Sequence, residues 1–275
     1  MKWTGSGDML SVTPSELTPF QLARPRSLES AVSSLSKMPA PVVLHAGGTD
    51  LFAKFNAGLR PASLVSLGRI DALKETRLDD AAVELGAGMT HDAAITDAAV
   101  AAIPGLAQAW RHIATVRIRH LGTLGGNLMA RHTRYELSIL LSALAAEARF
   151  VGPKGERIIP VERIWDTDLG ETPLLVSVRI SREGNPRLDY DRSQRPRFTQ
   201  ALCRRDLSAG PRFRLTLGTE WCRPWCADFA EGDAPDSVLA RLDPDFGDAV
   251  VGRAYLIRAG AVHLRRQKER LEMTS

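Results

Sequence analysis

The spacing of hydrophobic and polar residues divides the first third of the chain into short strands and helices. Apolar positions recur at helical spacing over residues 27–35, behind a serine that can cap the first turn. Residues 42–44 and 64–67 are short apolar runs, and residues 83–87 alternate between apolar and polar side chains. These three segments predict strands, so strands and helices are interleaved in this part of the chain.

The middle of the chain continues this mixed pattern. Residues 90–102 predict an alanine-rich helix capped by Thr90, and a further helix is predicted near residues 105–113. Residues 116–121 alternate as a half-buried strand does. This predicted strand leads directly into a glycine-rich string.

Helix and strand signals then follow one another to residue 219. Residues 137–148 predict a helix with a broad apolar face, and residues 149–160 predict a hairpin around a Gly-Pro-Lys-Gly turn. Residues 173–180 and 214–219 predict two more strands.

The two ends of the chain and residues 181–212 have a different character. Residues 1–18 are polar with several glycines and prolines, which predicts a loose extension. Residues 181–212 are rich in arginine and proline and show no clear period. Residues 249–271 predict a long helix with basic residues near its C-terminal end. Its predicted apolar side consists of Val250, Ala254, Ile257, Ala261 and Leu264.

Composition narrows the class of protein. With 275 residues, 44% of them hydrophobic and 25% charged, the chain can form one large domain or two to three smaller ones. The net charge of +4 is small, and the arginine clusters at 192–205 and 265–270 are not regularly interleaved with aromatic residues. We therefore expect no nucleic-acid partner.

Neither a membrane segment nor a secretory signal is expected. No apolar run approaches the roughly 20 residues that span a bilayer, and the first residues lead into no apolar signal region. A cytoplasmic protein is the expectation. Cys203, Cys222 and Cys226 are too few and wrongly spaced for a disulfide framework or a four-ligand metal site, which predicts reduced structural thiols.

Two glycine-rich strings carry the candidate chemistry. Residues 46–51 read AGGTDL and residues 122–128 read GTLGGNL. Glycine tolerates positive φ and lets backbone N–H groups approach a bound oxygen, and consecutive N–H groups form an anion-holding nest. Two such nests suggest an extended ligand with a diphosphate in its middle, although a single Gly-Gly turn is usually only a tight turn. Neither string is a Rossmann fingerprint or a P-loop.

With their flanks, these strings resemble a known family. HAGGTDL at 45–51, GAGMTH at 86–91 and VRIRHLGTLGGNL at 116–128 are similar to the FAD-binding, or medium, subunit of molybdenum hydroxylases. This family includes xanthine dehydrogenase and aerobic carbon monoxide dehydrogenase. Residues 152–157 and 174–180 match the family in the same order, so the resemblance extends from about residue 19 to residue 180.

The resemblance implies an α+β fold in three parts. A small α/β unit at 19–78 and a larger antiparallel-sheet unit with helices at 79–178 hold FAD between them. A smaller C-terminal domain of sheet plus helix, at 179–275, covers the flavin. The loose extension at 1–18 precedes them.

The resemblance also implies a role in electron transfer. Electrons from a substrate oxidised on a large molybdopterin subunit pass through the 2Fe–2S clusters of a small subunit to FAD. The flavin then reduces NAD, oxygen or a quinone-type acceptor. The protein positions and tunes the cofactor, which performs the redox chemistry. No catalytic residue and no metal ligand is assigned to this chain.

Family motifs imply which residues contact FAD. The first string contributes mostly backbone, and the second does likewise from the other side. The implied contacts are Ala46, Gly47, Gly48, Thr49, Asp50, Thr123, Leu124, Gly125, Gly126, Asn127, Glu136 and Leu175. Glu136 stands where the family commonly has aspartate. As an alternative, Glu136 forms a capping box with Thr133 at the start of the next helix.

Other polar and aromatic residues have ordinary structural interpretations. We expect His45 to be a tolerated strand-end histidine, and His91 and Asp92 to cap a helix or face solvent. Arg117 and Arg119 are expected at the surface. Trp221 and Trp225 are expected to pack within the last domain.

The C-terminal third departs from the family. Residues 198–200 read Phe-Thr-Gln where a lysine is expected, and residues 206–214 look shortened, as if a strand were lost. Two alternative functions follow. One is a degenerate scaffold or assembly subunit of such a complex. The other is a self-sufficient flavin oxidoreductase, although no coherent general base is evident.

Overall fold

A computed structural model describes residues 19–170, 174–193, 197–247 and 251–273, and the extension predicted at 1–18 lies outside them. Its strands form three sheets. The two larger sheets are antiparallel and helices accompany them, so the predicted α+β class is confirmed.

The first sheet is small and parallel. Its helices flank the strands, and α1 begins at a Ser27 capping box, as the sequence predicts. The strand order is β1-β3-β2. The elements are β1 (Gln21–Ala23), α1 (Leu28–Lys37), β2 (Val42–His45), α2 (Thr49–Asn56) and β3 (Ser63–Ser66).

The second sheet is antiparallel and has five strands. Its strands are β4 (Thr76–Leu78), β5 (Ala82–Gly86), β6 (Glu147–Gly152), β7 (Gly155–Pro160) and β8 (Leu174–Ser181), in the order β4-β5-β8-β6-β7. Six helices connect β5 to β6: α3 (His91–Thr96), α4 (Ala98–Ala101), α5 (Leu106–Trp110), α6 (Val116–Arg119), α7 (Leu124–Met129) and α8 (Leu137–Ala143). The expected unit limits at 78 and 178 fall within this sheet, and the division into units stays a prediction.

The third sheet is antiparallel and is covered by the last helix. Its strands are β9 (Arg187–Arg192), β10 (Phe198–Leu207), β11 (Gly210–Thr219) and β12 (Trp225–Ala230), and the helices are α9 (Pro235–Ala240) and α10 (Arg253–Met273). This sheet contributes to the hydrophobic core of the second sheet and its helices through Leu188, Ala201 and Cys203. The third sheet is therefore packed against the part of the chain that carries the second glycine string.

Several sequence predictions of single elements are wrong for identifiable reasons. Residues 116–119 form the short helix α6 instead of a strand, and Val116 and Ile118 are 57% and 42% exposed. Their alternation with arginine thus marks no buried sheet face. The alanine-rich helix is divided at Asp97, whose carboxylate accepts from two N–H groups and caps α4. The helix predicted at 137–148 ends at Ala143, before the left-handed Ala145.

The C-terminal third is more regular than its sequence suggests. Residues 181–212, for which no period is visible, contribute β9 and β10. The segment at 206–214 is the tight connection of a long hairpin, in which Leu207 pairs with Gly210. That this segment is shortened relative to the family stays a prediction.

The buried side of α10 also differs from the predicted one. Ala261 and Leu264 are buried as expected, but Ala254 is exposed. Val250 lies outside the described residues. The buried residues are Leu256, Gly260, Ala261, Leu264, Gln267 and Leu271.

All three cysteines are free, as the sequence predicts. Burial raises the pKa of the Cys203 thiol and of the Cys226 thiol to about 11. Both are therefore neutral structural thiols near pH 7. Over the described ranges, no helix is both long enough and apolar enough to cross a bilayer.

Candidate functional site

A cavity of about 1130 Å³ brings the two glycine-rich strings together. The end of β2, the start of α2, the loop before α7 and the start of β8 contribute to its wall. All predicted site residues except Leu124 line it: Ala46, Gly47, Gly48, Thr49, Asp50, Thr123, Gly125, Gly126, Asn127, Glu136 and Leu175. The Leu124 side chain is fully buried in the core, and the contacts of all these residues with FAD stay predictions.

The first string places the beginning of a helix in the cavity wall. Gly48 has φ of 75°, in the left-handed region, and precedes α2, which begins at Thr49 without a side-chain cap. The first N–H groups of a helix have no intrahelical acceptor and carry partial positive charge. This turn therefore has the geometry that a diphosphate or another anion requires.

The second string uses its backbone differently from the prediction. The N–H groups of Leu124 and Gly125 donate to carbonyls of the β5–α3 connection, at 2.9 and 2.8 Å. The N–H of Gly126 donates to Thr123 Oγ1 at 3.1 Å. These three donors are thus satisfied within the chain and form no open nest. The side chains of Thr123 and Asn127 are the polar groups that this string presents along the wall.

Close packing joins the two strings. A Cβ atom on Gly47 would lie 1.8 Å from the carbonyl oxygen of Leu121, just before the second string. Only glycine therefore permits this approach. A Cβ on Gly125 would likewise lie 2.9 Å from the carbonyl oxygen of Ala87. Both glycines have a packing role in addition to their place in the wall.

Asp50 links α2 to the segment that precedes α8. Tyr135 donates its hydroxyl to Asp50 Oδ1 at 3.2 Å, and Lys54 Nζ lies 2.7 Å from Oδ2. Burial raises the pKa of the Tyr135 hydroxyl, and the charge of Asp50 raises it further. The tyrosine therefore stays a hydrogen-bond donor at neutral pH.

Glu136 is a buried carboxylate with partners from the C-terminal sheet. It is 7% exposed and accepts from the Tyr190 hydroxyl at 2.6 Å and from Arg192 Nη1 at 3.1 Å. Burial, followed by the charge of Glu136, raises the pKa of Tyr190. The capping-box alternative is wrong, because Glu136 makes no side-chain cap and Thr133 donates instead to the Glu220 carbonyl.

Arg134 connects the cavity wall to the loop between β11 and β12. Its guanidinium lies 2.6 Å from Glu220 Oε1 and is stacked over the Trp221 ring, 5.3 Å from the centroid. Trp221 is 55% exposed, whereas Trp225 is 9% exposed and lies in the core of the C-terminal unit. The expectation of internal packing is thus confirmed for Trp225 only.

His91 is the polar residue whose environment differs most from the prediction. It is 2% exposed, and the Trp110 indole N–H donates to its Nδ1 at 3.0 Å. Its Nε2 lies 3.5 Å from the Asn127 amide. Burial lowers the His91 pKa to about 4, with a smaller contribution from Arg119. By contrast, the Asp92 side chain is half-exposed and is paired with His120 at 3.2 Å.

The remaining candidates fit their structural interpretations or lie apart from the cavity. His45 ends β2, lines the cavity and has a ring next to Gly48. Arg117 is exposed, and Arg119 donates to the Arg111 carbonyl. Gln200, at the position where the resemblance implies a lysine, is fully buried and bonded to Gln267 in the α10 interface.

Four positively charged residues of the wall were not predicted from the sequence as site residues. Each is paired with a carboxylate of the chain: Lys54 with Asp50, Lys74 with Asp71, Arg134 with Glu220 and Arg192 with Glu136. Only Arg134 could have been identified from the sequence, because it lies two residues before the predicted contact Glu136. The pairing leaves the start of α2 as the main positive potential offered to an anionic ligand.

Fold and cavity define a protein with a large cavity that is lined by the small parallel sheet and by the larger antiparallel unit. The chain belongs to the family described as the FAD binding domain in molybdopterin dehydrogenase, which matches residues 18–181. The sequence resemblance is therefore confirmed, and with it the assignment of FAD as the cofactor of this domain family.

Curated relatives share the same stretch of sequence. The chain is 30% identical over 169 residues to the carbon monoxide dehydrogenase medium chain of Hydrogenophaga pseudoflava, covering 58% of each protein. It is 29% identical over 170 residues to caffeine dehydrogenase subunit beta of Pseudomonas sp. (strain CBB1), covering 59% of this chain and 58% of that protein. The match thus spans less than two thirds of these relatives.

The likeness in fold extends beyond the likeness in sequence. A crystal structure of Cu,Mo-CO dehydrogenase superposes with a TM-score of 0.81 at 23% identity, covering 95% of this chain and 100% of that one. The family match ends at residue 181. The C-terminal sheet and helices therefore keep the fold while their sequence diverges.

Proposed function

We propose that this chain is the FAD-binding subunit of a molybdopterin-dependent dehydrogenase or hydroxylase. In this role it relays electrons from the 2Fe–2S clusters of a small subunit to NAD, oxygen or a quinone-type acceptor. Substrate oxidation takes place on a large molybdopterin subunit. The observation that carries the proposal is the uncapped start of α2, which lies behind left-handed Gly48 in the wall of a large cavity.

Residues of the first string fit the diphosphate of FAD. The first N–H groups of α2 supply donors, and the Thr49 hydroxyl adds another within the same turn. Gly48 leaves the approach to these groups free of a Cβ. Asp50, held by Tyr135 and Lys54, fixes the first turn of the helix against the opposite wall.

The second string and Glu136 complete the binding surface. Thr123 and Asn127 present polar side chains, and Leu175 adds an apolar contact from β8. Glu136 adds a negative charge that Tyr190 and Arg192 hold in one position. When bound, FAD supplies one- and two-electron transfer, and these residues bind and orient it.

Apolar residues on two elements that border the cavity suit a partner subunit. Phe52 of α2, Val116 of α6 and the following Leu121 are 65%, 57% and 59% exposed. Exposed apolar side chains beside a binding site fit a protein interface. We place the iron–sulfur subunit at this border.

A ligand series tests the diphosphate site. Titration of the purified chain with FAD, ADP, FMN and riboflavin, followed by flavin fluorescence or displacement, compares ligands with and without the diphosphate. We expect FAD to bind most tightly, ADP to compete with it and riboflavin to bind far more weakly. Riboflavin that binds as tightly as FAD would contradict the assignment to α2.

Purification of the tagged chain from its own cells tests the electron relay. We expect co-purifying chains that contain iron, acid-labile sulfide and molybdenum, and a bound flavin that the partner's substrate reduces. A bound flavin that no partner reduces would favour the scaffold alternative. Turnover by the isolated chain would favour the self-sufficient oxidoreductase.

A further inference from the structure

The His45 ring lies at the end of β2, beside the glycine turn that precedes α2. Its backbone is held by β3, because His45 pairs with Ser66 and its carbonyl accepts from the Leu67 N–H at 2.8 Å. The side chain lines the cavity, and Nε2 lies 2.8 Å from the place that a Cβ on Gly48 would take. A group at the end of a hydrogen-bonded strand is held more precisely than one on a loop. The ring is therefore a fixed part of the wall at this turn.

The two ring nitrogens of His45 have different surroundings. Nδ1 is enclosed and has no hydrogen-bond partner among the described residues, whereas Nε2 is not enclosed. A proton on Nδ1, in a neutral or a charged ring, would leave a buried donor unpaired. A neutral imidazole carries one N–H, and a proton on Nε2 places this donor on the nitrogen that a ligand can reach. We therefore expect a neutral ring with its proton on Nε2.

The donor of His45 is not committed to another group of the described chain. The lysines and arginines that line the cavity are each paired with a carboxylate. His45, by contrast, forms no ion pair and no side-chain hydrogen bond within the described residues. A ligand in the cavity can thus accept from Nε2 without breaking a contact of the protein.

We propose that His45 Nε2–H donates a hydrogen bond to a diphosphate oxygen of FAD at the turn formed by Gly48. This rests on the proposed function, in which the first N–H groups of α2 bind the same diphosphate. Gly48 is the residue immediately before α2, and no side chain at this position separates Nε2 from an oxygen bound at the turn. His45 thereby adds a side-chain donor that favours ligands with a phosphate group over ligands without one.

Substitutions at His45 test the donor. Glutamine keeps an N–H donor at its Nε2, whereas leucine fills similar space and has no donor. In titrations with FAD and with ADP, we expect His45→Leu to bind about 10-fold more weakly, as for the loss of a hydrogen bond to a charged group. His45→Gln should retain most of the affinity. Riboflavin and adenosine, which carry no phosphate, should bind equally to the wild type and to both variants.

Three binding results would overturn the proposal. Equal losses in the two variants would show that the ring only fills space beside Gly48. A loss of the same size for riboflavin and adenosine would show a general distortion of the cavity. Tighter binding of ADP by His45→Leu would show that the ring obstructs the place of the diphosphate.

The protonated nitrogen can also be observed directly. Long-range ¹H–¹⁵N correlation spectra at about pH 8, where free histidine is neutral, distinguish the two ring nitrogens, and the spectrum of His45→Gln assigns the signals. We expect the proton on Nε2, and we expect ADP, but not adenosine, to shift the signal of this nitrogen. A proton on Nδ1, or a signal that saturating ADP leaves unchanged, would overturn the proposal.

The wild type separates this proposal from the proposed function. Failure of the purified chain to bind both FAD and ADP would contradict the proposed function and this proposal with it. Wild-type binding that His45→Leu leaves unchanged would contradict this proposal alone. Circular dichroism shows whether each variant folds, and the spectra of the wild type decide the question if His45→Leu does not.

Discussion

Two features disfavour a side chain at Gly48: its backbone is left-handed, and His45 lies close to it. Its φ is 75°, and a Cβ atom at this position would lie 2.8 Å from His45 Nε2. We predict that Gly48→Ala lowers the free energy of unfolding by roughly 1–2 kcal/mol, as for other non-glycine residues in this region. FAD affinity should fall as well, because the new methyl group displaces His45 or the start of α2. Urea unfolding and FAD titration measure the two effects.

Gly155 provides the matched control for this substitution. It has φ of 103° in the β6–β7 hairpin, and a Cβ atom added there would have no neighbour within 4 Å. Gly155→Ala should therefore lose a similar amount of stability and keep its FAD affinity. If both variants lose affinity equally, the effect of Gly48 is a general loss of stability and not a property of the cavity.

His91 makes stability depend on pH in a predictable direction. Its pKa is about 4 in the folded chain, against an ordinary value of 6.5. Below pH 6.5 the unfolded state therefore binds more protons at this residue than the folded state does. We predict that this contribution is fully present above pH 6.5 and is lost as the pH falls towards 4, by about 2 kcal/mol at pH 5.

The measurement compares urea unfolding of the wild type and of His91→Gln at pH 7 and pH 5. Glutamine does not titrate, so the difference in unfolding free energy between the two proteins should shrink or reverse at pH 5. A difference that is independent of pH would show that His91 is not the titrating group.

The sequence could predict the glycine strings but not the bonding around them. Gly47, Gly48 and Asn127 are recognisable from their motifs, because they lie within the glycine-rich strings themselves. His91 is separated from Asn127 by 36 positions and from Trp110 by 19, and no local pattern relates them. The same holds for Tyr190, which comes from a segment without visible period.

At the scale of elements, periodicity succeeded where one face of an element is buried. The helix α1 and the strand β5 have one clear apolar side, and both were predicted. The first six residues of β10 are buried on both faces, which removes the alternation that identifies a strand. In α6 the alternation is present, but its apolar residues are exposed. In both β10 and α6, packing against other elements determines the structure, and the local pattern does not.

The junction between α8 and β9 depends on one buried carboxylate. Tyr190 and Arg192 of β9 both bond to Glu136 at the start of α8. We predict that Tyr190→Phe lowers the free energy of unfolding by about 1–3 kcal/mol, because a buried acceptor loses a hydrogen bond. FAD affinity should fall as well, since Glu136 lines the cavity.

Tyr255 provides the control for loss of a tyrosine hydroxyl. It is 59% exposed on α10, so Tyr255→Phe should leave both unfolding and FAD titration unchanged. Wild-type stability in Tyr190→Phe would indicate that Arg192 alone satisfies Glu136.

At the scale of the whole molecule, residues 134–136 tie three parts of the chain together. Arg134 reaches the β11–β12 loop, Tyr135 reaches α2 and Glu136 reaches β9. All three residues also line the cavity. The C-terminal unit, whose sequence diverges most from the family, is thus bonded directly to the wall of the proposed cofactor site.

Substitution of Glu220 removes the ion pair between the cavity wall and the β11–β12 loop with little loss of stability. It is paired with Arg134 at 2.6 Å and lies 3.9 Å from Arg197, and its side chain is 20% exposed. Arg134 is 50% exposed and is solvated once its partner is removed, so Glu220→Ala should lower the unfolding free energy by only about 1 kcal/mol. We predict that FAD nevertheless dissociates several-fold faster, because Arg134 loses the partner that holds it in the wall. Stopped-flow displacement of bound FAD measures this rate.

Glu156→Ala is the control. It removes a surface pair with Arg149 in the β6–β7 hairpin, outside the cavity wall, and should leave the rate unchanged. Equal rates in Glu220→Ala and the wild type would mean that the C-terminal unit does not retain the cofactor through this contact.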